Sequence, residues 1–341
     1  MATIWWIKDK VAAGSSPAAL AALATGMGAN PDGSLSSAGR LRRRACSHSG
    51  MRSGLGRVVT VPAVNAIVLG AGGQLGSALA RLLGAGSGVE RTEASVTDRD
   101  SIDHLLRRRR PEIVFNCAAY NAVDRAETER DLAFAVNAEG AANVATACVR
   151  SGSRLVHFST NFVFDGMLER PYVESDEPAP LNAYGSSKLE GERRVLDVLP
   201  AALVIRTAAL FGDTGSRIKG GSFPERILQR AMSGETLRVV ADQKVNPTYT
   251  GDLAPAAIGL AESGLEGLVH VVAEGCAGWD EFARAVLEEG QVRATVNPTL
   301  STDLGALARR PLHGCLGSMH VAPLRPWREG LRAWAVGRSN P

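Results

Sequence analysis

The stretch VNAIVLGAGGQLGSALARLLG, residues 64–84, decides the fold. Its first seven residues, 64–70, form an apolar run that is typical of a buried parallel strand. The glycine-rich segment 70–76 follows, and residues 77–84 then have helical spacing. A strand, a glycine turn and a helix in this order are the context that a dinucleotide-binding fold requires. The segment therefore predicts a Rossmann fold and a dinucleotide cofactor.

The three glycines of the turn have separate predicted roles. Gly70 ends the strand where the chain must turn sharply, Gly73 lets a pyrophosphate approach the backbone, and Gly76 allows close packing of the helix. The N-terminus of the helix would offer free N–H groups to the phosphates. The spacing is GxxGxxG rather than GxGxxG, and glycine-rich turns also occur for purely structural reasons.

Strands and helices continue to alternate along the chain. Further strands are predicted at 111–119, 154–160 and 202–212, and a helix at 139–152. This alternation indicates an α/β fold with a doubly wound parallel sheet. Because ligands of such sheets bind beyond the carboxyl ends of the strands, Ser159 and Thr160 are expected beside the glycine turn.

The segment YGSSK at 184–188 is the candidate catalytic motif. Tyr184 and Lys188 are four residues apart and would share one face of a helix. An ammonium beside a phenol lowers the phenol's pKa from about 10 toward neutrality, so the tyrosine could exchange a proton with a carbonyl oxygen. Thr160 could hold the same oxygen. Taken alone, a tyrosine and a lysine at this spacing are more often a surface pair; the preceding motifs favour the catalytic interpretation.

Composition narrows the class of protein. The chain has 341 residues, 45% of them hydrophobic and 21% charged, with a net charge of only +3. These values are ordinary for a globular protein. The sequence lacks the clustered basic excess of a nucleic-acid binder, and no apolar stretch is long enough to predict a membrane span. Residues 1–60, rich in Ala, Gly and Ser, are predicted to be a disordered or spurious extension.

The cysteines and histidines indicate neither a disulfide framework nor a metal site. The five cysteines are widely spaced, with no CxxC pair, which predicts reduced and mostly buried thiols in a cytosolic protein. The histidines have no metal-ligand spacing, so no metal residues are assigned. His157 is interpreted as a core residue rather than a cleft residue.

Seven motifs, in order, carry a family resemblance. They are GAGGQLGSAL (70–79), NCAAYNAVDRAE (116–127), VNAEGAANVA (136–145), HFSTNFVFDG (157–166), PLNAYGSSKLEGE (180–192), ADQKVNPTYTGDLA (241–254) and RRPLHGCLG (309–317). With them the chain resembles the dTDP-4-dehydrorhamnose reductases, which are extended short-chain dehydrogenases, from about residue 65 to 335. The resemblance implies reduction of the 4-keto group of dTDP-4-dehydro-6-deoxy-L-mannose to dTDP-L-rhamnose with NADPH or NADH.

The same resemblance assigns roles to individual positions. Tyr184 and Lys188 match the catalytic pair, with Lys188 also on the nicotinamide ribose, and Thr160 matches the hydroxyl that polarises the substrate carbonyl. The remaining positions that match cofactor contacts are Gly70, Gly73, Gln74, Leu75, Gly76, Ser95, Val96, Ala118, Ala119 and Tyr120. A magnesium ion is possible by resemblance only. A homodimer is also possible, and a cytoplasmic location is expected.

The chain departs from the family pattern at the substrate wall. Asn161 and Phe162 stand where the family usually has Asp and Tyr, Ala209 replaces a frequent aromatic residue, and Gly314 replaces a frequent serine. With Thr160, the residues Asn161 and Ala209 are the predicted substrate contacts. Two alternatives therefore stay open: a reductase or epimerase for another nucleotide deoxysugar, and a non-catalytic regulatory subunit, which the intact tyrosine–lysine pair disfavours.

The architecture expected from these patterns is a Rossmann core with a smaller C-terminal substrate lobe. The core is predicted at 61–207 plus about 251–275, and the lobe at about 208–250 plus 276–336. The choice between NADPH and NADH stays open, because Glu90 would suit a ribose diol whereas the adjacent Arg91 would suit a 2′-phosphate.

Overall fold

The computed structural model describes residues 64–214 and 220–339. The predicted extension at 1–60 lies outside these residues. The strands are β1 Ala66–Leu69, β2 Gly88–Val89, β3 Ile113–Asn116, β4 Arg154–Thr160, β5 Leu203–Thr207, β6 Leu210–Phe211, β7 Leu237–Val240, β8 Lys244–Val245, β9 Thr248–Tyr249, β10 Gly267–His270, β11 Ala273–Glu274, β12 Ala277–Gly278, β13 Val296–Thr299 and β14 Leu324–Pro326. The α-helices are α1 Gln74–Leu83, α2 Arg99–Arg109, α3 Arg130–Phe134, α4 Gly140–Ser151, α5 Ala183–Val198, α6 Phe223–Met232, α7 Thr250–Glu262, α8 Trp279–Glu289 and α9 Trp327–Ser339, and a π-helical turn at Ala135–Glu139 joins α3 to α4.

A six-stranded parallel sheet in the order β10-β5-β4-β3-β1-β2 forms the centre of the fold. Its strands are short, almost entirely buried and rich in Val, Ile and Leu, which is what a parallel sheet covered on both faces requires. Helices α1 and α7 cover one face, and α2, α4 and α5 cover the other. The predicted doubly wound α/β fold is confirmed.

The strand order reverses between β1 and β3, which lie side by side in the sheet. At such a switch point the loops after the two strands part and leave a crevice for a ligand. The glycine turn follows β1, and the loop that begins at Cys117 follows β3.

The strand predicted over 202–212 is wrong in its length. The strand in the main sheet ends at Thr207, and a separate strand, β6, pairs with β9. Between them, Ala209 has φ +44, a left-handed conformation that turns the chain out of the sheet. Apolar composition alone could not reveal this break, because both strands are largely buried.

A second apolar core lies outside the sheet and is rich in aromatic side chains. Phe282 contacts the rings of Phe211, Phe223 and Trp327 at centroid distances of 5.2–5.7 Å. Around it pack α6, α8 and α9, and the indole of Trp334 donates to the carbonyl of Gly212. The borders given above for a core and a lobe remain a prediction.

The expectation of reduced cysteines is wrong for one pair. Cys276 and Cys315 form a disulfide with their Cα atoms 6.0 Å apart. Strand β8 brings their segments together, because it pairs with β12, which directly follows Cys276, and bridges to His313, two residues before Cys315. A separation of 39 residues in sequence hides this proximity. Cys117 and Cys148 are free thiols whose pKa burial raises, whereas Cys46 lies outside the described residues.

Within the described residues, one continuous helical run, Arg130–Ser151, is long and apolar enough to span a bilayer. Half of its most apolar 18-residue stretch is buried inside the fold. Helix α4, which forms the C-terminal part of the run, packs between α2 and α5. A buried helix of an α/β layer has the same length and composition, so this run is weak evidence for a membrane span.

Candidate functional site

The glycine turn after β1 forms a tight cradle at the N-terminus of α1. Gly70 has φ +76, and a Cβ there would lie 2.8 Å from the backbone nitrogen of Ala118. At Gly76 a Cβ would lie 2.2 Å from the carbonyl oxygen of Gly70. Only glycine fits these two positions, because the atoms that a side chain would meet belong to the backbone. Helix α1 therefore starts directly against the turn, with its free N–H groups at the carboxyl edge of the sheet.

A large cleft of about 1850 Å³ opens at this edge. Its volume exceeds the 300–1,000 Å³ that is usual for a pocket with one small ligand, so two ligands have room to meet in it. The cleft brings together all of the predicted site residues: Gly70, Gly73, Gln74, Leu75, Gly76, Ser95, Val96, Ala118, Ala119, Tyr120, Thr160, Asn161, Tyr184, Lys188 and Ala209. Their roles remain predictions, but one surface holds them.

The candidate catalytic residues occupy one wall of the cleft. Tyr184 and Lys188 lie in the first two turns of α5, which Asn182 caps by accepting from the backbone N–H of Gly185. Thr160 ends β4, and its side chain accepts from the N–H of Phe162 at 3.2 Å. The ring of Phe162 meets that of Tyr184 edge to face at 5.5 Å. The phenol, the ammonium side chain and the hydroxyl thus converge from two elements.

The electrostatics of this wall differ from the sequence-based expectation. Burial raises the pKa of Tyr184, and a hydrogen bond with Thr160 lowers it only in part. The predicted shift of the phenol's pKa toward neutrality is therefore wrong. Lys188 is 2% exposed, its Nζ donates to the carbonyl of Phe158 at 2.6 Å, and burial lowers its pKa to about 8. Tyr184 is consequently protonated at neutral pH, which is the state that a proton donor needs.

Asn161 joins this wall to the segment near residue 314. Its Nδ2 donates to the carbonyl of Gly314 at 2.8 Å, and its Oδ1 accepts from the hydroxyl of Thr160 at 3.3 Å. A Cβ at position 314 would lie 2.6 Å from Asn161 Nδ2. The two departures from the family pattern, Asn for Asp and Gly for Ser, are therefore neighbours that fit each other.

Sequence reasoning missed a second group of residues that line the cleft. They are Phe223, Arg226, Arg230, Arg238 and Trp279, among others. Arg226 and Arg230 are four residues apart on α6, and both face the cleft; Arg230 also pairs with Glu235. Two arginines four residues apart on an amphipathic helix could have indicated these cleft residues. From the sequence alone, however, the same spacing also fits a solvent-exposed helix face.

Comparison with known proteins agrees with this geometry. Residues 64–336 match the family model of the RmlD substrate binding domain. The dTDP-4-dehydrorhamnose reductase of Mycobacterium tuberculosis (strain CDC 1551 / Oshkosh) is 39% identical over 291 residues, 80% of this chain and 93% of its own. The probable dTDP-4,6-dihydroxy-2-methyloxan-3-one 4-ketoreductase of Streptomyces antibioticus is 38% identical over 283 residues, 78% of this chain and 92% of its own.

Among solved structures, dTDP-4-dehydrorhamnose reductase from Bacillus anthracis str. Ames in complex with NADP superimposes with a TM-score of 0.76 at 33% identity. The match covers 80% of this chain and 98% of that one. The expected Rossmann fold and the expected family are confirmed. From its glycine cradle to its last helix, this chain belongs to the RmlD substrate binding domain family.

Proposed function

We propose that this protein reduces the 4-keto group of dTDP-4-dehydro-6-deoxy-L-mannose to give dTDP-L-rhamnose, with NADPH or NADH as the reductant. The observation that carries the proposal is the convergence of Tyr184, Lys188 and Thr160 on the cleft that the cradle of Gly70 and Gly76 opens into. The phenol of Tyr184, the hydroxyl of Thr160 and the glycine cradle lie at one edge of the sheet, where a keto group and a nicotinamide can meet.

The residues of the cleft fit a dinucleotide. The cradle leaves room for a diphosphate against the N-terminus of α1, and the buried side-chain oxygens of Gln74 and Asn121 beside it have no hydrogen-bond partner within the described residues. Glu90 and Arg91 both follow β2 and both line the cleft, so either form of the ribose has a polar neighbour. When bound, the reduced nicotinamide supplies the hydride for the carbonyl carbon.

The chain's own residues handle the proton. Thr160 holds the substrate oxygen, and Tyr184 donates its phenolic proton to that oxygen as negative charge develops there. Lys188 stabilises the resulting phenolate. Because burial raises the pKa of Tyr184, the phenol carries its proton across neutral pH and can donate it. General acid catalysis of this kind contributes about 10²–10⁴-fold to the rate.

Arg226 and Arg230 are proposed to bind the diphosphate of the sugar nucleotide. Two guanidinium groups one helical turn apart suit a diphosphate, because each can form paired hydrogen bonds to its oxygens. Trp279 and Phe223, whose rings are 4.8 Å apart beside them, offer an apolar surface for the nucleoside. No group of three or more His, Cys, Asp or Glu in the described ranges could hold a metal ion, so the residues present do not fit magnesium.

Another nucleotide deoxysugar is the second candidate substrate. Asn161 favours it, because an amide that donates to Gly314 replaces the carboxylate expected beside the sugar. The relative from Streptomyces antibioticus, named as a 4-ketoreductase of a different dTDP-linked ketone, is of comparable identity. We also propose a cytoplasmic homodimer. The exposed apolar side chain of Val149 on α4 supports the dimer.

The test is turnover of the purified protein with NADPH and dTDP-4-dehydro-6-deoxy-L-mannose, followed by the absorbance of the reduced cofactor. Tyr184→Phe is expected to lower kcat by about 10²–10⁴-fold while NADPH binding stays within a factor of about two. Tyr249→Phe, whose hydroxyl contacts Asp213 outside the cleft, is the matched control and should retain the rate. A Tyr184→Phe enzyme as fast as the parent protein would refute the assigned acid. Turnover with another keto sugar alone would favour the second candidate.

A further inference from the structure

A buried polar chain runs beneath the candidate catalytic helix. It consists of Asn116, His157 and Lys188, which are 2%, 1% and 2% exposed. Asn116 and His157 are register partners on β3 and β4, with Nδ2 of the amide 3.2 Å from Nδ1 of the ring. On the other side, His157 Nε2 lies 3.4 Å from Nζ of Lys188. The imidazole thus has one neighbour at each nitrogen.

The hydrogen bonds around Asn116 decide which nitrogen of the imidazole carries the proton. The Oδ1 atom of Asn116 accepts from the backbone N–H of Ala118 at 3.2 Å, so the amide nitrogen is the atom that faces His157. The amide nitrogen is a donor only, and His157 Nδ1 must therefore accept. A neutral imidazole with a lone pair on Nδ1 carries its proton on Nε2, which points at Lys188.

An N–H that points at a lysine nitrogen suits an uncharged amine, which can accept, and opposes an ammonium, which cannot. We propose that His157, oriented by Asn116, is a positioning residue that donates to the Lys188 nitrogen and so keeps the lysine ready to release its proton. Both Lys188 and Tyr184 line the cleft, so a proton released by the lysine can reload the Tyr184 phenolate left after each reduction, and the lysine then regains a proton from water in the cleft. This inference rests on the proposed function, because it concerns the reloading of Tyr184.

The other groups around Lys188 agree with this role. The carbonyl of Phe158 accepts from Nζ in either protonation state of the lysine. The carboxylate of Glu192 and the thiol of Cys117 are the other titratable groups that act on it, and both raise its pKa, but burial outweighs them. Burial and Lys188 together hold the pKa of His157 well below its usual range, so the imidazole stays neutral.

The first test measures the tautomer directly, without activity. In ¹⁵N-histidine NMR of the full-length protein, His157 is expected as a neutral Nε2–H imidazole at neutral pH and still at about pH 6.5, where an ordinary imidazole is half protonated. The signal is assigned by its loss in His157→Gln or by its displacement in Asn116→Asp. A neutral Nδ1–H ring, or an imidazolium above pH 6, would overturn the inference while leaving the proposed function untouched.

The second test reads the pH profile of kcat/KM. Asn116→Asp places a carboxylate that accepts from Nδ1–H, so Nε2 becomes an acceptor and favours the ammonium form of Lys188. The basic limb, expected near pH 8 in the parent protein, should move up by roughly one to two pH units. Asn297→Asp, at an exposed site, adds the same charge and should leave the limb in place. A lower rate with an unmoved limb would mean a merely structural role and refute the inference. Loss of the Tyr184→Phe effect would instead refute the proposed function.

Discussion

Replacing Asn161 by Asp restores the residue type usual in the family, yet it should destabilise this protein. The amide Nδ2 donates to the Gly314 carbonyl at 2.8 Å, and Asn161 is 2% exposed. An ionised aspartate at this position would set a carboxylate oxygen against that carbonyl oxygen. A buried acceptor left without its donor costs about 1–3 kcal/mol, and we take about 2.7 kcal/mol as the cost at pH 8.

The cost should fall as the pH is lowered. A penalty of about 2.7 kcal/mol corresponds to a folded-state carboxyl pKa raised by about two units, from about 3.9 to about 6. Because the folded pKa lies above the unfolded one, the variant is least impaired below about pH 4 and loses stability as pH rises through about 6. At pH 5 linkage leaves a penalty of about 1.5 kcal/mol, since a protonated carboxyl can again donate to Gly314.

Urea unfolding of the parent protein, Asn161→Asp and the exposed control Asn297→Asp at pH 5 and pH 8 measures this difference. The midpoint of Asn161→Asp should lie below that of the control at both values and should fall further behind at pH 8. Equal midpoints at pH 8, or a gap that does not change with pH, would show that the amide does not hold Gly314 as described.

Three further predictions concern the core, the cradle and the disulfide. Glu192 and Arg206 form a buried bidentate ion pair, and their side chains are 4% and 3% exposed. Glu192→Gln breaks this pair and should lower the free energy of unfolding by about 3–5 kcal/mol. The control Glu235→Gln breaks an exposed ion pair with Arg230 and should change that free energy by less than about 1 kcal/mol. Gly76→Ala would push a methyl group against the Gly70 carbonyl oxygen. Calorimetry should show NADPH binding weakened at least about tenfold, a loss of about 1.4 kcal/mol of binding free energy. The control Gly259→Ala, at a position with open space around it, should bind NADPH as the parent protein does. The double variant Cys276→Ser, Cys315→Ser opens a loop of 39 residues and should lower the free energy of unfolding by about 4 kcal/mol in the chain-entropy account. Reduction of the disulfide in the parent protein should likewise lower its melting temperature. An unchanged melting temperature would mean that the bond contributes nothing to stability.

Local sequence determined the centre of this fold. The apolar run before Gly70, the glycine turn and the helix after it are contiguous, and each is specified by the period and conformational freedom of its own residues. The same holds for the strand that ends at Thr160 and for the helix that carries Tyr184 and Lys188. Because parallel strands place their carboxyl ends on one edge, the sequence order alone predicted that these groups meet there.

Only the tertiary structure decided what surrounds them. The proton state of Tyr184 depends on how much water its ring loses, which no spacing encodes. The Cys276–Cys315 bond and the contact of Asn161 with Gly314 join positions 39 and 153 residues apart. The orientation of His157 rests on an amide on the neighbouring strand. The spacing of residues along the chain determines which elements form and which of their ends meet. The burial of a side chain, its protonation state and its hydrogen bonds to residues distant in sequence are determined only when the elements pack.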